Sequence, residues 1–192
     1  DATDTQLQTL RDDILAMSNE IPLAAVEIAG IAEAAGQLGV KTEDISTFTR
    51  TMADLGVATN MTSEQAATQL ARLANITGLV GEYGAEGYSR LGSAVVALGN
   101  NFATTESEIV DMSMRLASAG TNLGISESQI LAFAAAMSSV GISAEIGGTS
   151  MSKFMSSVQI AVETGSKDLK KYASVAGLTA KEFETAFKED AA

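Results

Sequence analysis

Apolar residues recur along this chain at the three- and four-residue spacing of a helix face. Ile45, Phe48, Met52 and Leu55 share one face, as do Ile109, Met112, Leu116 and Ala119. Met151, Phe154, Met155, Val158 and Val162 make a further apolar stripe, whose plain role is core and whose alternative role is an exposed contact face. No stretch sustains the alternation of a strand. Start signals precede the runs: Thr62-Ser-Glu-Gln65, Thr105-Glu-Ser-Glu108, Ser126-Glu-Ser-Gln129 and Thr179-Ala-Lys-Glu182 each fit the capping box, in which a hydroxyl and a carboxylate or amide exchange bonds with free backbone N–H groups. Ile125 with Ile130 and Leu178 with Phe183 are placed to act as hydrophobic staples.

Stop signals are equally legible. Gly39, Gly56, Gly120, Gly124, Gly141 and Gly177 stand where a left-handed C-cap residue is expected, and several are followed by an apolar residue and then Ser or Thr. Helices are therefore predicted near 4–18, 23–37, 42–55, 63–76, 85–98, 106–119, 127–139, 144–164, 168–175 and 180–189. The fold class is all-α, an irregular multi-helix bundle or array of about ten short, well-capped helices. The caps are unevenly spaced, which argues against a regular repeat array, and no heptad run is long enough for a coiled coil within this window. The segment Gly78-Leu-Val-Gly81-Glu-Tyr-Gly84-Ala-Glu-Gly87 reads as a mobile loop between helices, or more sharply as a hinge.

Composition narrows the chemistry. The chain has 192 residues, with 24 acidic and 12 basic side chains and a net charge of −12. Much of its 46% hydrophobic content is alanine, aromatics are 5%, and there is one proline, Pro22. Such a composition builds closely spaced helices with small contact residues. The scattered bases do not make a phosphate grip, so no specific nucleic-acid binding is expected. The densest group, Lys167, Lys170 and Lys171 around Asp168, reads as a solvated helix face. The uncharged stretch Ser128–Ala144 is too short to span a bilayer and reads as a buried core helix. The polar, acidic start DATDTQLQTLRDD shows no signal peptide, and the missing initiator Met suggests an excised fragment or a processed chain.

Catalytic chemistry has little to work with. Without His or Cys there is no imidazole base, thiolate nucleophile or ordinary zinc site. Ser150-Met-Ser-Lys153 has S-x-x-K spacing but no companion motifs, and Gly165-Ser-Lys167 is not a phosphate loop. The pairs Asp12/Asp13, Glu43/Asp44 and Glu106/Glu108 are assigned to positions in or near first helical turns, where they complement the helix dipole. No catalytic, cofactor-binding or metal-binding residue is assigned, and no cofactor.

Longer motifs carry a resemblance. Ile31-Ala-Glu-Ala-Ala-Gly-Gln-Leu-Gly39, Phe48-Thr-Arg-Thr-Met-Ala-Asp-Leu-Gly56, Ala58-Thr-Asn-Met-Thr-Ser-Glu-Gln-Ala66, Leu91-Gly-Ser-Ala-Val-Val-Ala-Leu-Gly-Asn-Asn101, Thr104-Thr-Glu-Ser-Glu-Ile109 and Gly141-Ile-Ser-Ala-Glu-Ile-Gly-Gly-Thr149 resemble, in order, the core region of phage and prophage tail tape-measure proteins. The likeness spans roughly residues 25–190. It divides the chain into an N-terminal helical segment, 1–24, and a tape-measure core-like helical domain, 25–192, of a longer parent protein that carries coiled coil elsewhere. Gly36, Gly39, Gly56, Gly99, Asn100, Asn101, Gly141, Gly147 and Gly148 are its structural signature positions. The resemblance implies a non-enzymatic protein that lies in the tail lumen, sets tail length and leaves ahead of the DNA at ejection. Its implied partners are tail tube and tail tip or baseplate proteins and further copies of itself, with membrane contact only at ejection. Before incorporation it would reside in the bacterial cytoplasm. The alternative is a helical adaptor or a membrane-active, bacteriocin-like protein, which would need the Met151–Val162 stripe exposed.

Overall fold

The computed structural model describes residues 3–191; the ends of the expected 1–24 and 25–192 segments, residues 1, 2 and 192, lie outside them. The described residues form eleven α-helices and no strand, an all-α array. The helices are α1 Asp4–Glu20, α2 Ala25–Gln37, α3 Ile45–Ala58, α4 Ser63–Ile76, α5 Leu79–Tyr83 and α6 Glu86–Asn101. They continue with α7 Glu106–Asn122, α8 Glu127–Ser139, α9 Thr149–Thr164, α10 Lys167–Val175 and α11 Ala180–Glu189.

The capping boxes form as the sequence predicts. Thr62, Thr105, Ser126 and Thr179 each accept from the backbone N–H three residues on, and the Gln or Glu there accepts from the cap's own N–H. Thr3 and Gln6 make a further box at the start of α1, and Glu27 accepts from the Ala24 N–H at 2.8 Å to close the start of α2. Gly39, Gly124, Gly141 and Gly177 take the left-handed conformation, with φ between 71° and 80°. Behind each runs a 6→1 backbone bond, such as Val40 N–H to Ala35 O at 3.0 Å and Leu178 N–H to Ala173 O at 2.9 Å.

Two of the six glycines expected to stop helices do not. Gly56 lies inside α3 and Gly120 inside α7. Both instead sit where another element comes close. A Cβ on Gly56 would lie 2.8 Å from the Ser63 N and 2.9 Å from its Cα, and one on Gly120 would lie 3.0 Å from Ile130 Cγ1. Small size is what these positions supply. Three further expectations change. Gly78–Gly87 is not a loop, because α5 makes a short helix there between left-handed Gly78 and Gly84, whose φ is 60° and ψ −143°, anchored by buried Leu79. Residues 144–148 form a π-helical turn ahead of α9 rather than its first turn. Asp12 and Asp13 lie midway along α1, not in its first turn, and Asp13 accepts from the Ser46 hydroxyl at 2.6 Å.

The helices pack as a progression. α1 leans on α2 and α3, α3 on α4 and α6, α4 on α7, and α7 on α6, α8 and α9. The longest stretch of core runs through α3, α4 and α7. Phe48, Met52, Leu70, Ile109, Met112 and Leu116 are all fully buried there. Alanine at Ala66, Ala67, Ala71 and Ala74 on α4 permits the close spacing that the composition suggests. Met17 and Ile21 of the N-terminal helical segment enter the same core. Glu20 reaches Arg50 on α3 at 2.6 Å, and that carboxylate keeps the guanidinium more firmly protonated than usual. A second, smaller cluster of Val158, Ala161, Val162 and Leu169 joins α9 to α10, with Phe183 and Phe187 of α11 packed against it.

Candidate functional site

The glycine-rich signature positions serve as stops and as contact points. Gly39 and Gly141 are left-handed stops, and Gly36, in the last turn of α2, faces open space. Gly99 lets the end of α6 approach the start of α7, where a Cβ would come within 2.7 Å of Glu106 Cδ. Two residues on, Asn101 ties its own helix end by donating to Ala97 O at 2.7 Å, while Asn100 is exposed. Gly147 and Gly148 seat the π turn on α7 and α8. A Cβ on Gly148 would lie 2.7 Å from Arg115 Cβ, and one on Gly147 would meet Ile142 and lie 2.9 Å from Met137 Cε. Ser152 then donates to the Arg115 carbonyl at 2.6 Å, so α9 is docked on α7 by backbone approach and a hydrogen bond together.

In the Gly78–Gly87 segment, Gly81 is exposed and its absent Cβ would meet nothing. Gly87 is buried under Leu79, whose carbonyl oxygen would lie 3.0 Å from an added Cβ. Beside it Tyr88 crosses Phe48 edge to face at 4.8 Å, and burial raises its phenol above the ordinary value. Tyr83 closes α5 under the Arg90 guanidinium, 4.1 Å from the ring centroid, and a hydrogen bond with Glu82 raises its phenol.

The apolar stripe on α9 divides. Met155, Val158 and Val162 are buried, Met151 is partly buried, and Phe154 is 50% exposed, edge to face with Tyr172 at 5.8 Å. Phe154 opens onto a groove of about 360 Å³ between α9, α11 and the α7–α8 corner. Phe133, Phe183 and Phe187 line it too, so four of the chain's six phenylalanines meet there. Helical spacing reveals the stripe but not this meeting, which needs α8, α9 and α11 brought together. Of the expected staples, Ile125 and Ile130 are both buried beside Gly120, whereas Leu178 and Phe183 line the open groove.

A larger groove of about 730 Å³ runs between α2 and the junction of α3 with α4. Leu23, Ile31, Ala34 and Gly56 contribute its apolar surface, and Glu27, Glu33 and Glu64 stand along it.

Ionisable groups are used locally. Glu108 and Glu182 accept from the Thr105 and Thr179 backbone N–H groups, which hold both carboxyls below their ordinary value of 4.5. Lys171 pairs with Asp168 at 2.6 Å on the exposed face of α10 and is held more firmly protonated. Ser150 and Lys153 are both exposed on α9. Among the described residues no cluster of three or more acidic groups is placed to hold a metal ion, and no helix is long and apolar enough to cross a membrane. One polar contact that sequence patterns miss binds distant parts: Asn60, after α3, donates to the Ser107 hydroxyl at 2.8 Å and accepts from its N–H at 3.1 Å, closing the start of α7 from outside.

Comparison with curated proteins and with solved structures finds no match to this chain. A family model described as phage-related minor tail protein matches residues 11–191, nearly the whole chain, taking in α2 to α11 and the second half of α1. The chain belongs to the phage-related minor tail protein family, and is a structural protein of the phage tail.

Proposed function

We propose that this chain is part of a tape measure: a non-catalytic tail-assembly protein that lies in the lumen of the tail tube, helps set tail length, and is released at DNA ejection. Support comes from one observation above all. The motifs from Ile31 to Thr149 that resemble the tape-measure core stand in the same order inside the span that matches the minor tail protein family. In that role its partners are tube and tip or baseplate proteins and further copies of itself.

The fold adds a physical condition. A helix advances about 1.5 Å per residue, so a single long helix converts sequence into length efficiently. Here the chain turns back repeatedly, and a folded array of short helices spans far less than its contour. The segment therefore acts either as an anchor on the ruler or as a ruler only after its helices separate. Deleting this region in frame from the parent gene and measuring tails by electron microscopy tests the proposal. Shortening in proportion to the deletion makes the segment ruler; unchanged length removes it from length setting and leaves anchoring or ejection.

A further inference from the structure

We propose that the groove between α2 and the α3–α4 junction is a docking site for a cationic amphipathic helix of a partner protein. This does not rest on the length-setting role and stands or falls separately. The groove is the larger of the two described above, about 730 Å³. Its bed is apolar and lacks bulk. Gly30 and Ala34 lie one helical turn apart on α2, and a Cβ built on Gly30 meets nothing within 4 Å. Half-buried Leu23 supplies apolar contact beside them, and Ile31, largely buried, forms part of the groove's wall. A helix can lay one face there, anchored at positions three and four residues apart.

The charge around this bed selects the occupant. Glu27, Glu33 and Glu64 line the groove, and no Lys or Arg does. The four ion pairs among the described residues all lie elsewhere, on Glu20, Asp54, Asp168 and Glu184. Glu27 and Glu33 meet only an N–H of Ala24 and the Gln37 amide, neither of which carries charge. Three carboxylates beside an apolar bed raise the local potential for a cation and repel an anion. Lys and Arg suit such a rim, because their alkyl stems lie along apolar surface while the charged heads reach the carboxylates. A second copy of this chain is a poor occupant, since it carries 24 acidic residues against 12 basic ones.

The test uses the whole chain and a fluorescein-labelled amphipathic peptide of Leu, Ala and Lys, titrated by anisotropy at low salt. The matched control peptide carries Glu in place of Lys. The Lys peptide is expected to bind and the Glu peptide not. Replacing both Glu33→Gln and Glu64→Gln should weaken binding about threefold to thirtyfold, as expected for two exposed charge pairs. Gly30→Phe, which fills the bed from a position with open space, should abolish it. Circular dichroism confirms that each variant keeps its helix content. Failure of the Lys peptide to bind overturns the proposal. Equal binding of the two peptides does so as well, as does undiminished binding to the Gly30→Phe chain or to the double Gln variant.

Discussion

The body of the molecule and its C-terminal helix pair use the same apolar vocabulary to different ends. In the body, α7 buries seven residues and the Phe48–Tyr88 ring pair is almost wholly enclosed. In the pair, α11 buries none, and its stacked Phe183 and Phe187 rings, 6.1 Å apart, remain partly open to the groove. Yet the pair's helices are as strictly amphipathic as any in the chain. Periodicity determines that a segment is a helix; whether its apolar face is sealed depends on how many neighbours reach it. Elements in the body are enclosed by several helices, whereas α10 and α11 hold mainly to each other and, through α10, to α9.

The widest gap between the regions should appear on truncating their anchors. Phe48→Ala should cost about 3–5 kcal/mol and lower the melting temperature of the whole body. Leu169→Ala removes about 2–3 kcal/mol, felt as local opening. Hydrogen exchange would then rise in residues 167–189 and stay low in α3, α4 and α7. Uniform acceleration by both variants would make the two regions one cooperative unit.

Glycine gives the next contrast. Gly56→Ala forces a methyl against the Ser63 backbone and should destabilise the body by about 1–3 kcal/mol. Gly36→Ala, with nothing within 4 Å and an ordinary helical backbone, should gain about 0.4–1 kcal/mol. Chemical denaturation of both variants reads the opposite signs. Equal losses would remove close packing as the reason for Gly56.

Caps sharpen the contrast further. Thr62→Ala and Thr179→Ala each delete one capping hydroxyl, at a cost of about 1 kcal/mol. In α4 the six buried residues should hold the helix start in place. In α11, with none, the first turn should fray, visible as loss of amide protection near Lys181 and Glu182.

Acid should produce the smallest effect, confined to particular helix starts. Glu108 and Glu182 have carboxyls held below 4.5 in the fold, so their contribution is complete above that value and is lost as pH falls through the lowered one. The boxes at Thr62 and Ser126 use Gln65 and Gln129, which do not titrate. The cap N–H signals of Thr105 and Thr179, followed from about pH 6 to about pH 3, should therefore shift more than those of Thr62 and Ser126, which donate to amides. Glu108→Gln should bring the Thr105 N–H down to the small shift of Thr62 and Ser126.

Much of this architecture was readable from residues. The four boxes, the ends of α2, α4 and α8 to α11, and the buried faces of α3 and α7 follow from local chemistry, because a cap is completed within a single turn. Glycine was the ambiguous letter. Gly124, Gly141 and Gly177, each followed by an apolar residue and then Ser or Thr, are true stops. Gly56-Val-Ala and Gly120-Thr-Asn lack that continuation and lie inside helices, where the requirement comes from a neighbour that local sequence does not reveal. The short α5 was hidden for a related reason: its glycines suggest a loop, while its stability derives from burial of Leu79. Neither groove was visible, since each needs elements distant in sequence.

The self-contained capping boxes have a consequence for rearrangement. Their bonds join residues three apart, so the features that define a helix start travel with that helix. Separating α4 from α7, or α11 from α10, would forfeit packing and the Asn60 bonds to Ser107 but leave those boxes closed. Helices such as α4, α7, α8 and α11 are thus portable rods, whose partnerships can be exchanged without rewriting where each one begins.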